Sequence, residues 1–113
     1  MGIGDKYARI VNEGANKLEE IFRRAKDRGA KTIILYYSDA IPTIVSIAFT
    51  RRRLTERDLL YLKDWEETIM DELTPLAEEV LQIARRLYSS GIDADKVITE
   101  VAEKVGLNCV GYV

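Results

Sequence analysis

The sequence predicts an all-α fold, a compact antiparallel bundle of four to five helices, on two observations. Apolar residues recur at spacings of three and four through residues 5–28, 69–87 and 97–105, which lays each stretch along one helix face. These stretches are also bounded by residues that start or stop helices: Gly29, Gly91 and Gly106 as terminators, and Asp93 as an N-cap. The chain reads as one helical domain over residues 1–113, with a minor two-stranded β element (residues 32–37 and 108–113) as the alternative.

The first helix, residues 5–28, sets Tyr7, Ile10, Val11, Ala15, Leu18, Ile21, Phe22 and Ala25 on one face. Its outer face carries Glu13/Lys17, Glu19/Arg23 and Glu20/Arg24, each acid four residues before its base, the favourable order. Residues 32–53 admit two readings. Thr32-Ile33-Ile34-Leu35-Tyr36-Tyr37 is a run of β-favouring side chains. Ile34, Tyr37, Ile41, Ile44 and Ala48 keep a helical phase that passes through Pro42. The reading adopted is a helix from about Asp39, with helix and strand evenly matched before it.

Residues 55–89 read as one long helix, roughly 50 Å at 1.5 Å per residue. Thr55 and Asp58 have capping-box spacing, and Ile69, Leu73, Leu76, Val80, Ile83 and Leu87 hold one phase. Pro75 lies inside that run and is read as a kink, with the alternative that Thr74 caps a second helix. Met70, Ala77, Leu81, Ala84 and Tyr88 form a second apolar stripe, the expected interface with a protein partner. A short helix carries Val97, Ile98, Val101, Ala102 and Val105. An apolar tail follows, expected to be tied down.

Composition narrows the function classes. At 113 residues, 47% hydrophobic and 32% charged, the chain suits one solvated globule rather than a disordered segment. The longest greasy region, residues 33–49, is interrupted by Ser38, Asp39, Pro42 and Thr43, short of the roughly 18 apolar residues of a membrane span. No signal-peptide run opens the chain, and Lys6 stands where a myristoylation motif wants Ser or Thr, so a cytoplasmic location is expected. Histidine is absent and Cys109 is the single cysteine. That removes Ser-His and Cys-His nucleophiles, disulfides and cysteine metal clusters, so neither cofactor nor metal nor enzymatic activity is expected. Abundant charge and isoleucine with one glutamine, Gln82, resemble the composition of proteins from hot environments. Net charge is −2 with a pI near 5.2, so nucleic-acid binding would need a local patch.

Two charge clusters could supply such chemistry. Asp64, Glu66, Glu67, Asp71, Glu72, Glu78 and Glu79 run without a base, and Asp64, Glu67 and Asp71 would share a helix face able to offer oxygens to Mg²⁺. The Glu-x-x-Glu and Glu-x-x-Asp pairs of all-α nucleotide pyrophosphatases are not reproduced. The nearest matches, Asp64-Trp65-Glu66-Glu67 and Glu100-Val101-Ala102-Glu103, differ in order and residue type. A solvated acidic face is the expectation. Arg51, Arg52 and Arg53, with Arg57 a turn on, are the densest basic cluster, and arginine forks match phosphate geometry. Tyr36, Tyr37 and Tyr61 could stack on unpaired bases. The competing account is that these arginines offset the dipole of a helix ending near Thr50. A second basic stretch, Arg23, Arg24, Lys26, Arg28 and Lys31, reads as ordinary surface.

The functional expectation is a non-catalytic small helical interaction or assembly subunit, self-associating or part of a larger complex. The alternative is an RNA- or DNA-contacting subunit using Arg51, Arg52, Arg53, Arg57 and Tyr61 on single-stranded nucleic acid. A carboxylate Mg-dependent enzyme comes third.

Overall fold

The computed structural model describes residues 3–113, with side chains from residue 4 onward. It is an α+β fold, which corrects the all-α expectation. Helix α1 (Ile3–Asp27) leads into strands β1 (Thr32–Ser38) and β2 (Ile41–Thr50). A short helix α2 (Glu56–Tyr61), two 3₁₀ turns (Trp65–Thr68 and Asp71–Leu73), helix α3 (Thr74–Ser89), helix α4 (Ala94–Val105) and strand β3 (Asn108–Tyr112) follow. The sheet has the order β2-β1-β3, with β2 antiparallel and β3 parallel to β1.

Residues 41–50 form a strand where the helical phase predicted a helix. Val, Ile, Thr and Phe dominate that stretch and suit a pleated surface. The helical phase corresponds to no face of the structure: Ile41 is exposed, and Ile34 and Ile44 lie in different cores. Tyr36 pairs with Ser46 and Tyr37 with Ile44, leaving Val45 bulged out of register. The bulge breaks the period-two alternation that would mark a strand, since Ile44 and Ile47 both face the core. The hairpin turn, Asp39-Ala40, uses no positive φ. Such a turn matches strand twist poorly, and the register shifts next to it absorb the difference. Residues 32–38 and 108–112 do pair, but inside a three-stranded sheet and not as an isolated pair beside a bundle.

The long helix over residues 55–89 is also corrected. The Thr55–Asp58 capping box is present and starts α2, but Leu62 is extended and Asp64 has a left-handed φ of 66°. Ile69 then bridges to Thr50: the Met70 N–H donates to the Phe49 carbonyl at 2.8 Å and the Arg51 N–H to the Thr68 carbonyl at 2.9 Å. Backbone groups at the end of β2 find partners here, which a continuous helix could not supply. Pro75 sits in the first turn of α3, where its missing N–H costs nothing, so there is no kink; Thr74 is not the cap.

The sheet separates two cores. On one face α1, α3 and α4 bury Leu18, Phe22, Ile33, Leu35, Phe49, Val80, Leu87 and Ile98, with the Phe22 and Phe49 rings meeting edge-on at 6.2 Å. On the other face Leu54 of the loop after β2, Leu59 of α2 and Trp65 of the first 3₁₀ turn cluster with Ile34 and Val110. Among the described residues no helix is long and apolar enough to cross a membrane.

Candidate nucleic-acid interface

One end of the sheet gathers the start of β1, the end of β2 and the start of β3. The chain reaches it through Gly29, whose φ of 107° turns it sharply after α1. Lys31 follows, with its N–H donating to the Thr50 carbonyl at 2.8 Å and its carbonyl accepting from the Asn108 N–H at 3.0 Å. An exposed lysine is thereby placed between the exit of β2 and the entry of β3.

Arg51, Arg52 and Arg53 leave β2 at the same place. Their side chains are exposed while their backbone is held from beneath. The hydroxyls of Thr32 and Thr50, both fully buried, donate to the Arg52 carbonyl at 2.8 Å each. Thr32 Oγ1 in turn accepts from the Leu54 N–H at 2.9 Å and from Asn108 Nδ2 at 3.4 Å. Asn108 Nδ2 also donates to the Leu54 carbonyl. Each strand therefore contributes one polar side chain to a clamp on residues 52–54. A buried polar knot is tolerable because it is satisfied, and among the described residues no buried side-chain N or O lacks a partner.

The local charge is mixed but leans positive. Arg51 meets Glu72 at 3.4 Å with both side chains about half exposed, a contact worth little in water. Among the described residues Lys31, Arg52, Arg53 and Arg57 make no ion pair. Asp58 lies near Arg52, but its carboxylate is engaged in the capping box. The Thr55 N–H is the main cause holding its pKa below the usual carboxylate range. Lys104 is engaged elsewhere: its ammonium sits 2.7 Å from Glu19 and, with Arg23, keeps that carboxyl's pKa low. Lys26 donates to the last turn of α4 at the Val105 carbonyl, 2.7 Å away.

Of the three tyrosines proposed as base platforms, Tyr61 alone is open, at 79% exposure, one turn beyond Arg57 on α2. Tyr36 is half-buried edge-on to Tyr112, and burial raises its phenol pKa. Tyr37 lies toward the far end of β1, donating to the Asp95 carboxylate together with Tyr88. Burial first, and then Asp95, push both phenols well above the ordinary range.

Asp64, Glu67 and Asp71 do not share a helix face. Asp64 precedes the first 3₁₀ turn, Glu67 lies within it and Asp71 opens the second, with extended Ile69 between. Among the described residues no group of three acids or cysteines is placed to hold a metal ion. In the apolar stripe, Met70, Ala77 and Ala84 are buried in the chain's own core, and Leu81 and Tyr88 pack half-buried against it. Cys109 is half-buried near Thr99, and desolvation pushes its thiol up.

The sequence reading missed Lys31 and Asn108. The signal was available, because a hairpin turning at Asp39-Ala40 sets residue 31 opposite residue 51. Comparison of the chain with protein-family models, curated proteins and solved structures gave no match.

Proposed function

We propose that this protein is a non-catalytic binding module that grips the phosphate backbone of single-stranded RNA or DNA at the basic end of its sheet. The observation that carries this reading is the clamp. Three consecutive arginines project from a backbone fixed by buried Thr32 and Thr50 and half-buried Asn108, with Lys31 beside them. Fixing the backbone before binding reduces the ordering entropy lost on binding, and guanidinium forks match phosphate oxygens. The competing explanation for the arginines has lost its basis, since β2 is a strand and has no helix dipole to offset. Exposed Tyr61 supplies one stacking surface, which favours unpaired bases over a duplex.

The test is a salt titration of binding to fluorescent single-stranded oligonucleotides. Log affinity should fall with log salt by about 0.7 per phosphate contact neutralised. Replacing Arg51, Arg52 and Arg53 by Gln should lower that slope by about two units, and Lys31→Gln by somewhat under one. Absence of binding at low salt, or an unchanged slope in the triple variant, would refute the reading. An assembly role is favoured separately by one observation, the open edge of β3.

A further inference from the structure

Beside the arginine cluster lies a cavity of about 290 Å³, near the lower limit of ligand clefts and suited to one heterocyclic base. Arg53 lines it, together with Glu103 of α4 and Asn108 and Cys109 of β3. Gly106 turns the chain from α4 into β3 with a φ of 81° and leaves its part of the wall without a side chain. Because Arg53 belongs both to the cluster and to the cavity, a base seated here adjoins a phosphate held by the arginines.

Glu103 is exposed in the last turn of α4 and, among the described residues, makes no ion pair. The helix does not call for an acid there, since the carbonyl end of its dipole favours cations such as neighbouring Lys104. Burial raises the Cys109 thiol pKa and the Glu103 charge adds to that, so the carboxylate lies within electrostatic reach of Cys109. The Asn108 N–H donates to the Lys31 carbonyl, which fixes the phase of the parallel ladder. In that phase residues 108 and 110 bond toward β1, and the Cys109 N–H points out of the sheet. The cavity thus combines a two-oxygen acceptor with a backbone donor.

We infer that this cavity takes one guanine base of the bound strand, an inference that rests on the single-strand reading above. An ionised carboxylate accepts hydrogen bonds and donates none. Guanine alone among the bases sets two donors side by side on its Watson–Crick edge, N1–H and N2–H, next to the acceptor O6. Glu103 accepts from that pair, and the Cys109 N–H donates to O6. Adenine and cytosine present one amine beside a ring nitrogen whose lone pair would oppose the carboxylate. Uracil and thymine present a single N–H flanked by two carbonyls. Arg53 stays free for the adjoining phosphate, so backbone grip and base choice fall to different side chains.

The test is fluorescence anisotropy with the full chain and uridine decamers, one unsubstituted and one with a single central guanosine. The guanosine decamer should bind about tenfold tighter, the discrimination expected of one bidentate base contact. Inosine at the same position lacks the N2 amine and should lose most of that gain. Glu103→Gln, at an exposed position, should abolish the preference while binding of the plain decamer holds or tightens, because an acid has left a basic surface. Equal affinity for the two decamers overturns the inference and leaves the phosphate grip standing. Binding of neither decamer at low salt overturns both. A preference retained with inosine, or retained in Glu103→Gln, overturns the assignment to Glu103. Guanosine monophosphate should compete only at millimolar concentration. Displacement at micromolar concentration would make the free nucleotide the ligand and overturn the strand-bound base.

Discussion

β2 and β3 flank the same central strand, yet one edge is closed by local devices and the other is left clean. The closure of β2 is sequential: its bulge, its proline and the 68–70 segment all lie within about twenty residues of it. Strand β3 returns from far along the chain and brings no such device. An edge that could easily have been defended and was not is more informative than an exposed apolar residue, because pairing along open edges is a general hazard.

The largest expected effect is where the two edges are tied together. Thr32→Val should cost about 2–3 kcal/mol, because Leu54 N–H loses its acceptor inside a buried knot. Thr50→Val should cost only about 1 kcal/mol, since the Arg52 carbonyl keeps the other hydroxyl. Urea unfolding of the two variants measures the difference; equal losses would mean that Thr32 is not the hub.

On the β2 side, Tyr88→Phe removes a donor to Asp95 and the acceptor of the Ile44 N–H, for a cost of about 1–2 kcal/mol. The same cluster sets an alkaline limit. The folded phenols of Tyr37 and Tyr88 have pKa values raised above the unfolded value of about 10. Their contribution is therefore complete below about pH 10 and lost as pH rises beyond it. Ultraviolet titration, with Tyr37→Phe and Tyr88→Phe as references, should show these two phenols staying protonated until the chain unfolds. Ionisation of either in the folded protein near the ordinary phenol pKa of about 10 would contradict this.

On the β3 side, Thr55→Ala should cost about 1 kcal/mol by uncapping α2, which packs beside β3. Asp58 adds a pH signature. Its folded pKa is depressed, so its contribution is present at neutral pH and lost as pH falls through the carboxylate range. Melting temperatures of wild type and Asp58→Asn should converge in acid. The gap staying constant down to pH 3 would remove the capping box from the account.

The smallest effect on stability tests the defended edge itself. Pro42→Thr at an exposed position should change stability by less than about 0.5 kcal/mol. It should nonetheless produce concentration-dependent association through β2 in light scattering. If it stays as dispersed as wild type, Pro42 is not a guard.

Which features could be read from the sequence follows the range of the forces involved. Helices α1 and α4, the Gly29 and Gly106 stops and the Thr55–Asp58 box depend on neighbours within a turn or two, and they were legible. Strand β2 was not, because its bulge broke the two-residue alternation of a strand while Ile41, Ile44 and Ala48 kept a helical spacing by chance. The segment from Leu62 to Leu73 was misread because its role, covering the second face and closing the β2 edge, depends on contacts with a sheet not yet recognised. The candidate site was half legible. Arg51, Arg52, Arg53, Arg57 and Tyr61 stood out by type, whereas Lys31 acquires its position only when β1 and β2 are paired.

The order in which the sheet closes has a kinetic consequence. The β1–β2 hairpin needs only a two-residue turn and can form in roughly microseconds. Asn108, by contrast, must find Thr32 across 76 residues. Until β3 arrives, one side of central β1 is bare and residues 52–54 have only part of their support. During refolding the arginine loop should therefore be the last region to gain amide protection. An excess of unpaired chains at that stage would favour off-pathway pairing along β1. Slow, concentration-sensitive maturation is the expected kinetic cost of supporting the arginine loop with a strand recruited from so far along the chain.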